Sequence, residues 1–523
     1  MNSALTIIKT HDIFQRWNKL ITFFNLRNLQ NQPDDHINHR NRQLDALIIK
    51  DGTESETSVK VKTFAVQSFL FRFEFINSII IIGSKDLVIF ADRDKLKLVQ
   101  HLKKLSEKEL SDNHNVHLLA FRGKVCQEMD VEKLLDLLEY LNIRRLGYFK
   151  KEKQTGIMSS LFDEMVEDKK IQFVDITPDT QEFLCVKEDK DISFMIRASK
   201  ITCYFFRELI ARVEKAVEDA QDLSHADISA NLDDFLELRR PSLQKFGVIP
   251  NYYDFAYSPL IQSNDAYDLR PNAENTNEQL TNDCIILNMA GKYFELNILM
   301  IRTLLMNPLE DDKRKYRALS ELHDKVIESL TPGRVLQDVY NKCKKELLHK
   351  HPDLLPHIPK DFGFGIGFEF KEKCLLIGPN NKNKVKDNQV YTVITSLKDL
   401  VGFVKKKTFS IHLADTVVVG DPRNWGEAKK NVIRSNFCIT SEISKHLDDI
   451  GYNYEEEEED SKVLTKTKLY AARDADTQDE QTLEDLKDFK PLKSRKTRLA
   501  MQKLKLFREK EKNIKMKRHQ RHL

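Results

Sequence analysis

The chain has 523 residues, 41% apolar and 32% charged, long enough for two or three domains and too apolar and varied for a collagen-like, repetitive or wholly disordered protein. Its 84 Lys and Arg nearly balance 81 Asp and Glu, but residues 493–523 hold thirteen Lys and Arg against two Glu, leaving 71 basic and 79 acidic residues in 1–492. A uniformly basic nucleic-acid binder is excluded, and the body is mildly acidic. Seven scattered cysteines, none closer than 18 residues to the next, give neither a disulfide framework nor zinc spacing, so a reducing compartment is expected. The most apolar run, Ile79 to Ile82, is broken at Gly83 and followed by Lys85 and Asp86, so neither a secretory leader nor a membrane span is expected, and the chain is placed in cytosol or nucleus.

In chain order, Ile13, Phe14, Trp17, Leu20, Ile21 and Phe24 recur at spacings of three and four and predict an amphipathic first helix, with Thr10 or Asp12 as its cap. Strand-like runs follow at 45–49, 68–82 and 86–90, then helical patterns at 95–105 and 131–141, a pair of short strands at 171–176 and 182–186, and a long helix over 191–219. Strands alternating with helices indicate an α/β lobe, bounded near residue 188. A second lobe, 189–441, mixes strands at 284–289, 362–370, 389–396 and 410–419 with helices at 316–330 and 332–348, the last capped by Thr331 with Pro332 in its first turn. Residues 442–523 carry six consecutive acids and then the basic block, and read as a flexible charged extension.

Few motifs carry chemistry. Gly363, Gly365 and Gly367 alternate with apolar residues, which lacks the spacing of a phosphate loop and fits a strand that another chain segment approaches closely. His349, His351 and His357 sit among prolines without a completing ligand pattern and read as a surface loop.

The segment GFGIGFEFKE at 363–372 resembles the GHGIGLEVHE segment of the aminopeptidase P and creatinase family, whose pita-bread fold holds two metal ions. NMAGKYFELNILMIRT at 288–303 resembles the family stretch that carries its first two metal-binding aspartates, and 389–394 and 412–419 resemble the strands that carry its glutamate ligands. Carried over by this resemblance, the five ligand positions are Asn288, Leu299, Phe364, Ile394 and Ala414, and the family's further histidine falls at Lys371. Hydrolysis in that family needs bridged divalent ions to deprotonate a water, so the resemblance implies a peptidase-like fold without peptidase chemistry, and no metal or cofactor is expected.

A peptidase scaffold without its ligands resembles the family of large subunits of the FACT histone chaperone. The stretch SFLFRFEFINSIIIIGSKDLVIFADRDKLKLV at 68–99 is similar to that family's first lobe, and YSPLIQSNDAYDL at 257–269 to its YPPIIQSGGNYNL, with agreement in order over about residues 8–441. The expected fold is α/β (α+β): a creatinase-like N-terminal lobe, a pita-bread lobe and a charged extension. The implied function is non-catalytic histone handling in nucleosome reorganisation, in the nucleus and on the chromosome. Core histones or their tails are the expected partners; the family's pairing domain for an HMG-box subunit is not found by residue 523, which leaves that partnership open.

Two surfaces are candidates for histones. One is the acidic run Glu455, Glu456, Glu457, Glu458, Glu459 and Asp460, complementary in charge to histone tails; the other is the former substrate groove, with Asn288, Arg302, Lys371, Glu372 and Asp415. Each has a plainer reading, a solvated spacer for the first and scaffold for the second. The basic residues Lys493, Arg495, Lys496, Arg498, Lys515, Lys517, Arg518 and Arg521 suit weak DNA contacts or a nuclear address, and carry the alternative of a nucleic-acid-binding or nuclear-targeted adaptor.

Overall fold

The computed structural model describes residues 10–30, 44–51, 61–106, 114–121, 126–152, 156–167, 171–264, 267–270, 273–281, 284–401, 408–425, 436–445 and 451–452. The acidic run and the basic block lie outside the described residues, as does most of the extension.

The first part opens with α1 (Thr10–Gln30), β1 (Ala46–Asp51), α2 (Val61–Phe71), β2 (Ser78–Gly83), β3 (Asp86–Ala91), α3 (Arg93–Ser106) and β4 (Asn115–Ala120). It closes with α4 (Glu128–Tyr140), β5 (Arg145–Tyr148), α5 (Ile157–Val166), β6 (Gln172–Asp175) and α6 (Thr177–Leu184). The six strands form one sheet in the order β4-β3-β2-β1-β5-β6, with β1, β5 and β6 parallel. Side chains alternate between faces of a strand, so Leu47, Ile49, Ile80 and Ile82 pack under α1 and α2, and Ala46, Ile48, Ile79 and Ile81 under α4 and α5. Burial on both faces is why 79–82 reads as an unbroken apolar run.

Two sequence expectations change here. Residues 68–71 are helical, because Ala65, Val66, Phe69 and Leu70 bury one helix face and the turn out of it is fixed by Arg72, held at φ 65° while its guanidinium pairs with Asp191. Residues 182–184 are the end of α6, at whose start Asp175 accepts from the Thr177 N–H at 3.0 Å, leaving Val186 as a single bridge to Gln389. Tertiary burial overrode local β-preference in both.

The second part contains α7 (Asp189–Glu218), α8 (His225–Arg239), β7 (Tyr253–Phe255), β8 (Leu260–Gln262), β9 (Cys284–Tyr293), β10 (Leu296–Met306), α9 (Glu310–Ser329) and α10 (Leu336–Lys350). It ends with β11 (Gly363–Gly365), β12 (Val390–Val401), β13 (Thr408–Val419), β14 (Asn436–Cys438) and β15 (Gly451–Tyr452). Its nine-stranded sheet has the central order β11-β12-β13-β10-β9-β7, with β8 on β9, β14 on β13 and β15 on β10. The mixed α/β architecture is the one expected. The helix expected to start at Pro332 starts instead at Leu336, because Gly333 takes φ 86° and its N–H bonds Val385 O, making 331–334 a turn. The strand expected over 362–370 is short, since Gly365 and Glu372 already form a bridge that folds the chain back.

The alternating glycines do what their spacing predicts. A Cβ on Gly363 would sit 2.0 Å from Thr392 O at φ 112°, and one on Gly367 would sit 2.1 Å from Cε of Lys187. Gly363→Ala is therefore expected to cost roughly 3 kcal/mol or more, since backbone conformation and backbone contact both oppose it; a denaturant midpoint equal to that of the unsubstituted chain would contradict the register described.

Candidate functional site: one face of the second sheet

The positions singled out by the peptidase resemblance come together on one face. Asn288 lies opposite Ile301, Ile301 opposite Ala414, and Ala414 opposite Ile394, a continuous row across β9, β10, β13 and β12. Leu299 is two residues from Ile301, and Phe364 pairs with Thr392, two residues from Ile394, so both share that face. Leu260 and Gln262 of β8 and His412 of β13 complete a cavity with Asn288, Leu299, Ile301 and Ile394, and Asp268 and Arg270 stand at its mouth. Its free volume is about 20 Å³, the space of one or two waters.

Its polar groups are few. Tyr257 donates its hydroxyl to Asn288 Oδ1 at 2.6 Å, and burial pushes the Tyr257 phenol well up, so it stays a neutral donor. Beyond it the rings of Phe370 and Phe364 follow, with centroids 5.6 Å and then 6.5 Å apart, and Lys371 Nζ lies 4.8 Å from the Phe364 centroid. Lys371 therefore does reach this face, as an ammonium over a ring. His412 is buried, and its Nδ1 and Gln262 Oε1 have no protein hydrogen-bond partner. Burial, with the charge of His323 adding to it, lowers His412 to about 4.

Three of the expected groove residues are elsewhere. Arg302 and Asp415 follow Ile301 and Ala414 in sequence and so point to the opposite face, under α9. There Arg302 Nη2 donates to Asp415 Oδ1 at 2.7 Å, Thr440 donates to the same oxygen at 2.6 Å, and His323 Nε2 meets Asp415 Oδ2 at 3.2 Å. Burial alone raises a carboxyl, but Arg302 and His323 hold Asp415 far below the usual carboxylate range. Arg302 also donates to Ile443 O at 2.8 Å and Ser444 O at 3.0 Å, and Lys445 Nζ lies 3.8 Å from Asp415. Residues 443–445 thus pack on the sheet rather than joining a loose extension from 442. Glu372 is also structural: Lys187 donates to it at 2.6 Å and both side chains are buried, burial pushing the carboxyl up and the Lys187 ammonium drawing it back toward the charged form.

The sequence alone did not reveal Tyr257, Gln262, His412, the partners His323 and Lys445 of Asp415, or the partner Lys187 of Glu372. Tyr257 and Gln262 lie inside the stretch YSPLIQSNDAYDL, which was the available signal for both; the others depend on strand register and helix placement. Among the described residues no group of three or more His, Cys, Asp or Glu is placed to hold a metal ion, and no helix is long and apolar enough to cross a membrane.

A sheet with such a one-sided site, flanked by α7 and α9, is the class of fold found in peptidases of the pita-bread type. Residues 193–421 match metallopeptidase family M24, and the structure of an X-Pro aminopeptidase from Thermotoga maritima superposes with a TM-score of 0.57, at 15% identity, over 78% of this chain and 97% of that one.

The chain resembles one protein of that fold more closely. Residues 8–179 match the N-terminal lobe domain of FACT complex subunit SPT16. The FACT complex subunit SPT16 of Zea mays is 25% identical over 439 residues, 81% of this chain and 40% of that protein, and that of Arabidopsis thaliana is 25% identical over 438 residues. The N-terminal domain of SPT16 from Eremothecium gossypii superposes with a TM-score of 0.72, at 21% identity, over 86% of this chain and 99% of that one. In this chain a match to the SPT16 N-terminal lobe domain is thus followed by a match to family M24, in a fold of the pita-bread type, and the chain spans about two fifths of the length of the curated relatives it matches.

Two measurements check the chemistry of the two faces. Arg302→Met takes the guanidinium partner from buried Asp415, leaving only Lys445 at 3.8 Å and the His323 and Thr440 contacts, and is expected to destabilise the chain by about 3 kcal/mol, read from the denaturant midpoint. His412 is kept neutral by the fold, so its contribution is complete above about pH 6.5 and is lost as pH falls toward its folded pKa of about 4. His412→Phe should flatten that acid-side loss, by on the order of 3 kcal/mol; an unchanged pH slope would show that His412 does not titrate with unfolding.

Proposed function

We propose that this chain is a non-catalytic chromatin factor of the FACT type, a histone chaperone component that binds core histones or their tails in the nucleus during nucleosome reorganisation. The observation that carries the reading is the joined match, the SPT16 N-terminal lobe model over 8–179 in front of the M24 model over 193–421; the resemblance puts Asn288, Leu299, Phe364, Ile394 and Ala414 at the five ligand positions. The family M24 name implies metal ions, and the residues present do not fit them. Four of the five positions offer no ligand atom, and the amide oxygen of Asn288 already accepts from Tyr257. Without a carboxylate set to hold two cations, nothing lowers the pKa of an attacking water, so no peptidase step is assigned.

The surfaces for histones are the acidic run 455–460 and the face around Asn288, Tyr257 and Lys371. Arg302, Glu372 and Asp415 are withdrawn from the second because each is committed to a buried ion pair.

The test has two arms. Elemental analysis of purified protein should find no stoichiometric Mn, Co or Zn, and no Xaa-Pro peptide should be cleaved; about two ions per chain with turnover would refute the non-catalytic reading. In the second arm, purified core histones should bind, and changing 455–460 to Ser and Gly should weaken that binding and flatten its salt dependence, as expected for exposed charges. Deleting 493–523 should remove salt-dependent DNA binding and leave histone binding in place. Strong DNA binding with none to histones would favour the adaptor reading instead.

A further inference from the structure

The first lobe holds a cleft that the peptidase resemblance does not involve. It opens at the carboxyl ends of β1 and β5, beside α5, with a volume of about 410 Å³, within the range of ligand sites. Register places its walls: Ala46 pairs with Leu146 and Leu146 with Phe173, so Ile48, Lys50, Tyr148 and Phe173 share one face. The Tyr148 and Phe173 rings meet edge to face at 5.5 Å, and Phe149 adds a third ring. Phe173 lies on the outermost strand of the sheet and is 37% exposed.

The charges in the cleft are fixed by their partners. Lys50 pairs with Asp163 and lies 5.7 Å from the centroid of the Phe162 ring, so its charge is matched within the wall. Glu152 accepts from the backbone N–H groups of Lys62 and Thr63 in the first turn of α2, which holds the carboxylate in place. One ammonium against two carboxylates leaves the cleft net negative, with most of its wall apolar or aromatic.

That combination selects the occupant. An anion would compete with Glu152 for the helix N-terminus that Glu152 already holds. A purely apolar side chain would strip water from Glu152 without replacing it. A long aliphatic stem ending in a cation satisfies both parts, with methylenes against the rings and the charged head near the ring faces and Glu152. We propose that this cleft binds a Lys or Arg side chain of an extended basic peptide, at a site in the first lobe separate from the face around Asn288. This goes beyond the histone reading and does not require that face.

The experiment uses the full chain and a fluorescein-labelled twelve-residue peptide of Lys, Ala and Gly, read by anisotropy. Phe173→Ala is expected to weaken binding about tenfold and Phe173→Tyr to restore it, since Phe173 is exposed enough to be changed without unfolding the lobe; circular dichroism confirms the fold. Acetylating the peptide lysines should cause a similar loss with the unsubstituted chain and no further loss with Phe173→Ala. Failure of the unsubstituted chain to bind the peptide, equal binding by folded Phe173→Ala, or equal binding of the acetylated peptide would each overturn the proposal. If core histones fail to bind while the lysine peptide still does so through Phe173, the histone reading fails and the cleft stands.

Discussion

Three of the buried cations in the first 188 residues are matched by three buried carboxyl groups after them, and the two parts of the molecule are set against each other by these pairs. Lys62 meets Glu369, Arg72 meets Asp191 and Lys187 meets Glu372, all with side chains at most 6% exposed. Such pairs contribute modest net stability, but loss of one partner strands a charge in a medium that solvates it poorly. They act on placement more than on strength: a small slip between the two parts would separate all three. The glycine strand belongs to the same device, because Gly367 leaves the space that the Lys187 stem occupies.

The second sheet divides its labour by face. One face is held by an ionised cluster, where an always-protonated guanidinium keeps Asp415 charged and also ties down the carbonyls of Ile443 and Ser444. The other face carries apolar side chains at the row where the peptidase resemblance places ligands, with one amide satisfied by a phenol. A scaffold whose stability rests on the first face can lose chemistry on the second without losing its shape.

Much of this was legible in sequence. Apolar and β-branched runs located β9, β12 and β13, though not β10, the glycine spacing announced a close approach, and the order of similar segments pointed to the fold. What failed has physical causes. Residues 68–71 carry apolar and aromatic side chains that suit either state, and only the burial of one helix face decides. Arg302 and Asp415 looked like groove residues because they adjoin Ile301 and Ala414; on a strand, adjacency means opposite faces, which needs the register to apply. The cleft in the first lobe draws its wall from positions 48, 148, 152, 163 and 173, too dispersed for any local pattern to reveal.

The anchoring of 443–445 and the pairing of β15 with β10 set an origin for whatever comes next in the chain. Leu305 pairs with Gly451 and Met306 with Tyr452, so the backbone is tied to the end of the central strand β10 at that point. Glu455 is three residues further on, and covalent geometry alone limits three residues to about 11 Å. On the proposed histone reading, a basic partner that touched the end of β10 would meet the first carboxylates of the acidic run in an intramolecular second step rather than by an independent encounter.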